Sequence, residues 1–545
     1  MSVFPVAGAR ANVAARRPAL IPALNINFGS HNEPSQLPRI LLGIAWIFVI
    51  LIQVSSLPRV TSAGKDTTYY VEGAKAFAEG RGYRHVLHVG EPPIRLYPPG
   101  QSAFLALGWR AGGGTFPENY RAMVFAECGA SLLALWMLTH FLLGAGVGRI
   151  GTALSLLTVG LSPMWTAYTH FLYSEPVFCA LGFLVWQRLG KVVVSPTPGG
   201  WLILGVITAV MFLWRTAGLG LFAGLFLVAV FWGGPRRWLS LGALLAPMVL
   251  AVGFWAVLSR TDAGFDAGDY AHSFQDRLRL LGGLSGYAAM VGGHLVEFAL
   301  GSPFVDALNA TPLRFREGTT LVGIPVQGMM ENFGLVLGTA FLVFLIRGAI
   351  EDCGPAGRAR ALVFGAYQLM VILWVYDLGG RPVFVLLAPA LAWAWRGMHA
   401  FFPAAKTWTW VRRAAIAAAL VMFTINTKLL LAYAPYSDQR TEQIRQFVEA
   451  VRPPNLSDGQ LAVDVDLPGV LVSGWTGRRI ANLPFADDYG AAWVPVRRDA
   501  TAPEYYLART KLFDASGQRT TVHGVYRIER KSPDEKLALA RRLGP

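Results

Sequence analysis

Long apolar segments recur along this chain and constrain its fold more than any other feature. Hydrophobic residues make up 54% of the 545 residues, and charged residues only 15%. A segment of about 20 apolar residues can cross the hydrocarbon core of a bilayer as a helix, so we predict a mainly α-helical, polytopic membrane protein with about 11 transmembrane helices. The predicted spans are Ile40–Leu57, Tyr120–Leu143, Ile150–Tyr168, Pro176–Leu189, Trp201–Trp214, Ala217–Trp232, Trp238–Leu258, Gly323–Ile346, Ala361–Tyr376, Pro382–Trp395 and Ala414–Tyr433.

Basic residues in the connecting segments predict the orientation. Alternate segments, starting with the N-terminal tail, are rich in Arg and Lys and poor in acids, which is the pattern of cytoplasmic loops. This pattern also explains much of the net charge of +15, so we expect no nucleic-acid partner. The basic residues concerned are Arg10, Arg16, Arg17, Arg39, Arg149, Arg188, Lys191, Arg236, Arg237, Arg347, Arg358, Arg360, Arg396, Lys406, Arg412 and Arg413.

The predicted topology divides the chain into three parts. Residues 1–39 form a cytoplasmic tail, and residues 40–435 form the transmembrane domain. Residues 436–545 follow an odd number of spans and therefore form a small C-terminal domain outside the cytoplasm. Within the transmembrane domain, loops 58–119 and 260–322 also face outward. The first of these carries the candidate catalytic residues.

The C-terminal domain is predicted to be a small α/β unit. Apolar and polar residues alternate from Leu461 to Val465, as expected of a half-buried strand. Tyr505–Ala508 and Val522–Ile528 are further strand candidates, and an amphipathic helix is predicted around Phe447. The second outward loop is glycine-rich from Leu280 to Phe304, which favours a lid-like loop with short helices.

The first outward loop holds the most informative stretch. It reads D-T-T-Y-Y-V-E-G-A-K-A-F-A-E-G-R-G-Y from Asp66 and R-L-Y-P-P-G from Arg95. Asp66 follows the apolar residue Leu57 by nine positions, and an ionisable group held at a membrane is a functional hypothesis by default. Asp is also a preferred N-cap residue, so Asp66 can alternatively cap a helix over Thr67–Glu79.

Helical spacing places an apolar stripe along this predicted helix, suited to lying on the bilayer surface. The stripe comprises Tyr70, Ala74, Phe77 and Ala78. Glu72 and Glu79 are expected on the solvated face. Gly80 and Gly82 end the helix. Pro98–Gly112 is too short to span a bilayer and is predicted to be an interfacial helix.

Several short motifs, taken in order, resemble those of the GT-C glycosyltransferases. They are D-x-x-x-Y from Asp66, A-x-x-x-x-x-G-x-G-Y from Ala74, Y-P-P-G from Tyr97, S-E-P from Ser174 and G-R-P from Gly380. The chain is most similar to the polyprenyl-phosphate-sugar group, which includes protein O-mannosyltransferases, lipid A aminoarabinose transferases and rhizobial lipopolysaccharide galacturonosyltransferases. The resemblance implies transfer of a sugar from a polyprenyl-phosphate donor to a glycan, lipid or protein acceptor outside the cytoplasm, usually with inversion.

The resemblance also implies roles for two carboxylates. Asp66 matches the acidic position of the first loop and is the candidate general base, although several relatives carry Asp-Glu where this chain has Asp66-Thr67. Glu175 is the candidate second carboxylate, which would orient the acceptor or share a divalent cation, Mg or Mn, with Asp66. Alternatively, Glu175 stabilises the N-terminus of the helix that begins at Pro176.

Three arginines and three tyrosines complete the implied site. Arg95, Arg381 and Arg215 are candidates for binding the donor phosphate, because a guanidinium matches phosphate geometry. Arg95 can instead be a snorkelling interfacial residue, and Arg381 can instead pair with Asp377. The candidates for contacting the sugar or acceptor are Tyr69, Tyr70 and Tyr97. Interfacial tyrosine belts are the alternative explanation for these.

The sequence is also compatible with other functional classes. A transporter or flippase for lipid-linked sugars, or a non-catalytic binder of them, would suit the same composition. A transporter places ionisable groups near the midplane of several spans, whereas the centres of the predicted spans hold almost none, and Glu127, His140 and Glu297 are at most marginal cases. A hydrolase is a closer rival, because the same base can activate water. The basic cytoplasmic loops are typical of a bacterial inner-membrane protein.

Overall fold

The computed structural model describes residues 36–58, 65–87, 91, 93–113, 119–258, 278, 281–308, 320–321, 324–374 and 380–404, with scattered positions between 407 and 446 and the backbone of several C-terminal strands. The helices are α1 Leu37–Ser55, α2 Lys65–Ala78, α3 Gly100–Gly112, α4 Tyr120–Gly144, α5 Arg149–Gly160, α6 Pro163–His170, α7 Glu175–Val194, α8 Pro198–Trp214, α9 Gly218–Trp232, α10 Arg237–Leu258, α11 Leu284–Ala299, α12 Ser302–Leu308, α13 Val326–Glu351, α14 Pro355–Ile372 and α15 Leu387–Phe401. A 3₁₀ helix at Pro382–Leu386 precedes α15.

Apolar helices dominate the described residues, as the sequence predicts. Each predicted span from Ile40 to Trp395 coincides with one or two helices, while Ala414–Tyr433 lies largely outside the described residues. Five of the described helices are long and apolar enough to cross a membrane, or seven if two bent pairs each form one span. The larger number of spans stays a prediction.

The first bent pair interrupts the predicted span Ile150–Tyr168. Helices α5 and α6 meet at an angle of 52°. Ser162 caps α6 by accepting a hydrogen bond from the backbone N–H of Trp165, and Pro163 occupies the first helical position. Proline is tolerated there but not within a helix. The local sequence therefore ends one helix and starts another.

The second bent pair, α11 and α12, covers most of Leu280–Phe304, where a lid-like loop with short helices was predicted. Helix α11 is 16 residues long and meets α12 at 66°. Its side chains contact the C-terminus of α14: the Tyr287 hydroxyl donates to the carbonyl of Leu373 at 2.8 Å, and Nδ1 of His294 lies 2.9 Å from the carbonyl oxygen of Ile372. Tertiary contacts of this kind override the low helix propensity of glycine.

The main hydrophobic core lies where α4, α7, α9, α14 and the 3₁₀ helix pack together. Leu135, Phe183, Leu225, Val363 and Phe384 are fully buried there. This core joins helices that are far apart in sequence. It brings the start of α7 and the segment before the 3₁₀ helix to the same part of the molecule, where their charged residues meet.

A second core joins α2, α3 and α4 and corrects the prediction for the apolar stripe of α2. Tyr70 and Ala74 are buried against Leu105 and Trp109 of α3 and Met123 of α4. The stripe therefore faces protein and not the bilayer surface, because α3 covers it. The sequence pattern identified an apolar face, but it did not identify what packs against that face.

The ends of α2 agree more closely with the sequence. The helix finishes at Ala78, and Gly80 and Gly82 follow with φ of 72° and 80°. Positive φ is readily adopted by glycine, so both residues stop the helix as predicted. Helix α3 occupies the predicted interfacial segment, beginning at Gly100 after the two prolines.

Two short strands, β1 Thr320–Leu321 and β2 Ile324–Pro325, form an antiparallel hairpin before α13. The described backbone of the C-terminal region adds the strands β3 Leu461–Val463, β4 Trp493–Pro495, β5 Tyr505–Phe513, β6 Arg519–Glu529 and β7 Leu537–Leu543. These five strands form one sheet in the order β3-β5-β6-β7-β4. Leu461 pairs with Tyr505 in parallel, and Tyr505 pairs with Arg527 antiparallel. The three predicted strands are present, while most of the predicted helix around Phe447 lies outside the described residues.

Candidate active site

Asp66 accepts hydrogen bonds from two side chains that are distant in sequence. The Tyr97 hydroxyl donates to Oδ1 at 2.6 Å, and Nη1 of Arg381 lies 2.5 Å from Oδ2. Helix α2 begins at Lys65, so Asp66 lies within the first turn and does not precede it. The carboxylate is therefore engaged in tertiary contacts and Asp66 is not the N-cap residue.

Arg381 connects this carboxylate to a second one. Its Nε donates to Oε1 of Glu175 while its Nη1 contacts Asp66. The guanidinium also lies 4.4 Å from the ring centre of Tyr173 and 5.6 Å from that of Tyr168, which favours a cation–π contact. Asp377, the alternative partner for Arg381, lies outside the described residues.

Glu175 is the most buried member of the group, with a side chain that is 1% exposed. It is the first residue of α7, so the helix N-terminus also favours its negative charge. Arg215 directly follows the last residue of α8. Its Nη1 donates a hydrogen bond to Oε1 of Glu175, the same oxygen that accepts a hydrogen bond from Nε of Arg381. Asp66, Glu175, Arg215 and Arg381 thus form one cluster of two carboxylates and two guanidinium groups, hereafter the charge cluster.

Opposite charge decides the protonation state of Asp66. Burial acts to raise the pKa of this carboxyl, but the Arg381 guanidinium and the hydrogen bond from Tyr97 hold it below its ordinary value. Asp66 is therefore ionised at neutral pH and strongly paired. While Arg381 stays in place, this carboxylate is a weak base.

The predicted tyrosines lie beside the charge cluster in different ways. The ring centre of Tyr97 lies 5.3 Å from that of Tyr69 and 5.2 Å from that of Tyr70. Tyr70 is 1% exposed, and its hydroxyl lies 3.3 Å from Oγ of Ser174. It therefore supports the ring of Tyr97 from inside the protein. Tyr69 and Tyr97 are only partly buried, so they stay the candidates for contact with a sugar.

Arg95, the third predicted phosphate ligand, does not belong to the charge cluster. It is partly buried, and within the described part of the chain its Nε atom has no hydrogen-bond partner. The contacts that join Asp66, Glu175, Arg215 and Arg381 do not include it. Its predicted role stays a prediction.

The sequence did not single out several residues that surround the cluster. Tyr168 and Tyr173 flank Arg381, yet no spacing in the sequence marks them.

Glu72 was expected on the solvated face of α2, and this expectation is wrong. Glu72 is fully buried, and its Oε2 lies 2.5 Å from Nδ1 of His85. The segment after α2 folds back and covers that face of the helix.

The residues of the charge cluster do not match the donor set of a divalent cation. Mg²⁺ and Ca²⁺ take several oxygen ligands, whereas both carboxylates here contact arginines. Among the described residues, no three His, Cys, Asp or Glu side chains group closely enough to hold a metal. Sharing of a cation by Asp66 and Glu175 would require Arg381 to leave its position between them.

No family model matches this chain, and no curated protein sequence matches it. Among solved structures it is similar to the oligosaccharyltransferase of Archaeoglobus fulgidus tethered with an acceptor peptide, at 13% identity over 82% of this chain and 64% of that one (TM-score 0.46). It is similar to ArnT from Cupriavidus metallidurans in the apo state, at 13% identity over 82% of this chain and 86% of that one (TM-score 0.47). It is also similar to the arabinosyltransferase EmbB from Mycobacterium smegmatis, at 12% identity over 93% of this chain and 61% of that one (TM-score 0.36).

The chain therefore spans somewhat less than two thirds of the length of the archaeal oligosaccharyltransferase.

Proposed function

We propose that this chain is an integral membrane glycosyltransferase of the extracytoplasmic face, which moves a sugar from a polyprenyl-phosphate donor to a glycan, lipid or protein acceptor with inversion. One observation carries the proposal: Arg381 lies between Asp66 and Glu175, and Arg215 lies on Glu175. All four residues stand at the ends of helices and not in their centres. Surface chemistry on a lipid-borne substrate suits that placement better than a pathway through the membrane.

The two arginines suit the leaving group of this reaction. When the bond between the anomeric carbon and the phosphate oxygen breaks, its electron pair stays on the phosphate, which gains negative charge. Guanidinium groups stabilise that charge more in the transition state than in the ground state, and this difference lowers the barrier. The side chains of Arg381 and Arg215 are each 22% exposed, so a phosphate can reach both.

Asp66 suits the role of general base once a donor is bound. The donor phosphate competes with Asp66 and Glu175 for Arg381, because all three are anions. When Arg381 turns to the phosphate, Asp66 loses the cation that weakens it as a base. The acceptor hydroxyl then attacks the anomeric carbon from the face opposite the phosphate, and its proton passes to a carboxylate oxygen of Asp66.

The experiment uses purified full-length protein in lipid nanodiscs, with short-chain polyprenyl-phosphate sugars as donors and isolated envelope glycans as acceptors. Release of polyprenyl phosphate is measured for the wild type and for Asp66→Asn. We expect the substitution to lower turnover by about a hundredfold or more while donor binding persists, because a general base contributes on the order of 10²–10⁴ in rate.

Glu79→Gln is the matched control. Glu79 lies just beyond the end of the same helix, and it is exposed and pairs with Lys75 and Arg81. This variant should keep wild-type turnover. Full activity of Asp66→Asn would refute the proposed base. Tight donor binding without turnover would favour a carrier of lipid-linked sugars, and release of polyprenyl phosphate without any acceptor would favour a hydrolase.

A further inference from the structure

The turn between α6 and α7 is held by side chains from three other helices. The Tyr120 hydroxyl of α4 donates to the carbonyl of His170 at 2.7 Å, and the Thr67 hydroxyl of α2 donates to the carbonyl of Phe171. Carbonyls at the C-terminal end of a helix lack intrahelical partners and need others. This turn matters because Glu175 follows it directly.

Gln101 of α3 holds the next two carbonyls of the same turn. Its amide nitrogen lies 3.0 Å from the carbonyl oxygen of Leu172 and 3.3 Å from that of Tyr173. Leu172 has a φ of 57°, in the left-handed region that costs conformational energy for a residue with a Cβ. Such a conformation persists where the surroundings impose it. The hydrogen bonds from Gln101 help to impose it.

The other end of the Gln101 amide reaches the element that carries Arg215. Its Oε1 accepts a hydrogen bond from Nε1 of Trp214 at 2.8 Å. Gly100 allows this approach, because a Cβ at that position would lie 2.7 Å from the carbonyl oxygen of Leu213. The start of α3 is thus in backbone contact with the end of α8.

Glu127 of α4 orients the Gln101 amide. Both side chains are fully buried, and the Gln101 amide nitrogen also donates to Oε1 of Glu127. An indole N–H can only donate, while carboxyl and carbonyl oxygens can accept. The amide is therefore oriented with its oxygen toward Trp214 and its N–H groups toward Glu127 and the carbonyls of the turn.

We infer that Gln101 is a positioning residue of the charge cluster, which sets the distance between Glu175 and Arg215. On one side it holds the turn that leads into Glu175 and carries Tyr173, whose ring covers Arg381. On the other side it holds Trp214, the neighbour of Arg215. Gln101 acts through these elements and not on the substrate. The inference rests on the proposed function for its catalytic consequence, but the positions themselves can be tested without turnover.

The test compares Gln101→Met with Gln53→Met in the full-length protein. Gln53 of α1 is a matched control, because it is 1% exposed and also bridges elements: its Nε2 lies 3.1 Å from the carbonyl of Gly160, and its Oε1 accepts from Ser131. Hydrogen exchange of the backbone amides and turnover with polyprenyl-phosphate sugars are measured for both variants.

We expect Gln101→Met to speed hydrogen exchange in peptides covering residues 171–176 and 213–218. We also expect it to lower kcat about 10- to 100-fold, because small misplacements of reacting groups have effects of this size. The KM for the donor should change less. Gln53→Met should lower the melting temperature without either change.

Two outcomes would overturn the inference. One is unchanged exchange in both peptides of Gln101→Met. The other is an equal loss of kcat in Gln101→Met and Gln53→Met, which would indicate a general loss of stability. If the wild type turns over no donor, the proposed function fails, and the exchange data still decide whether Gln101 holds the two elements.

Discussion

Arg381 and Asp66 are 315 residues apart in the chain, and Nη1 of Arg381 lies 2.5 Å from Oδ2 of Asp66. The same guanidinium donates to Glu175. A single cation therefore pairs with two carboxylates, one in the first turn of α2 and one at the start of the apolar helix α7.

Replacing Arg381 by lysine tests whether the fork of the guanidinium is required. An ammonium carries its three donors on one nitrogen, so it cannot hold a carboxylate or a phosphate through two parallel bonds, as a guanidinium does. We expect Arg381→Lys to lower kcat/KM by about 10- to 100-fold, because a preorganised charge that stabilises the transition state has effects of this order. Steady-state kinetics with a polyprenyl-phosphate sugar measure the change.

Arg360→Lys is the matched control for that substitution. Arg360 is 17% exposed and lies 2.7 Å from Asp352, a carboxylate that also pairs with Arg396, so it belongs to a second arginine–carboxylate group outside the charge cluster. Its replacement should leave kcat/KM within about twofold of the wild type, as expected of a substitution outside the site. An equal loss in both variants would contradict the specific role of Arg381.

Glu175→Gln should destabilise the protein. Removal of this buried charge leaves Arg215 and Arg381 close together without their shared partner. Breaking a buried ion pair lowers the free energy of unfolding by about 3–5 kcal/mol. We expect a loss at the lower end of this range, because both arginines keep some exposure to solvent. The melting temperature of the purified protein in detergent measures the loss. The double variant Glu175→Gln, Arg215→Gln should recover part of it, and a double variant that is less stable still would contradict the pairing.

The titration of Asp66 predicts how stability depends on pH. Its pKa is lower in the folded protein than its ordinary value of 3.8, although burial alone would raise it. Such a group contributes stability above its unfolded pKa, and the contribution disappears as the pH falls through the folded pKa. We expect the wild type to melt above Asp66→Asn from neutral pH down to about pH 5, with a difference that shrinks below about pH 4.

Melting curves of both proteins between neutral and strongly acidic pH measure this difference. A difference that grows on acidification would show that the pKa of Asp66 is raised. In that case Arg381 would not be paired with Asp66 in solution.

Arg95→Ala tests the predicted phosphate ligand outside the charge cluster. A buried guanidinium nitrogen without a partner is costly, and a bound phosphate would provide one. We expect the donor KM to rise about tenfold with little change in kcat, as happens when an interaction is equal in the ground and transition states. An unchanged KM would support the alternative of an interfacial side chain.

Much of the candidate site was predictable from short motifs. Each residue of the charge cluster stands at the end of an apolar or amphipathic segment, where a charged residue is a candidate for a functional role because its neighbours are apolar. The resemblance of those motifs to the GT-C glycosyltransferases suggested a base and phosphate ligands, and these roles stay predictions. The mutual contacts of these residues were not predictable, because the separations along the chain range from 40 to 315 residues and no local pattern encodes such pairs.

The errors of sequence interpretation have a common physical cause. The apolar stripe of α2 was assigned to the bilayer and Glu72 to water, yet α3 covers the first and the segment around His85 covers the second. In both cases the local pattern was read without knowing which element packs against the helix, and the neighbouring element decided the outcome.

The amino-acid sequence by itself indicated where most of the apolar helices lie, because hydrophobic length, prolines and positive-φ glycines act locally. It also determined which charged residues stand at those ends. Only the tertiary structure decided that Arg381 lies between Asp66 and Glu175 and that Gln101 joins the elements carrying Glu175 and Arg215. The reason is that ion pairs and buried hydrogen bonds depend on which helices pack together, and that choice is made by the whole core.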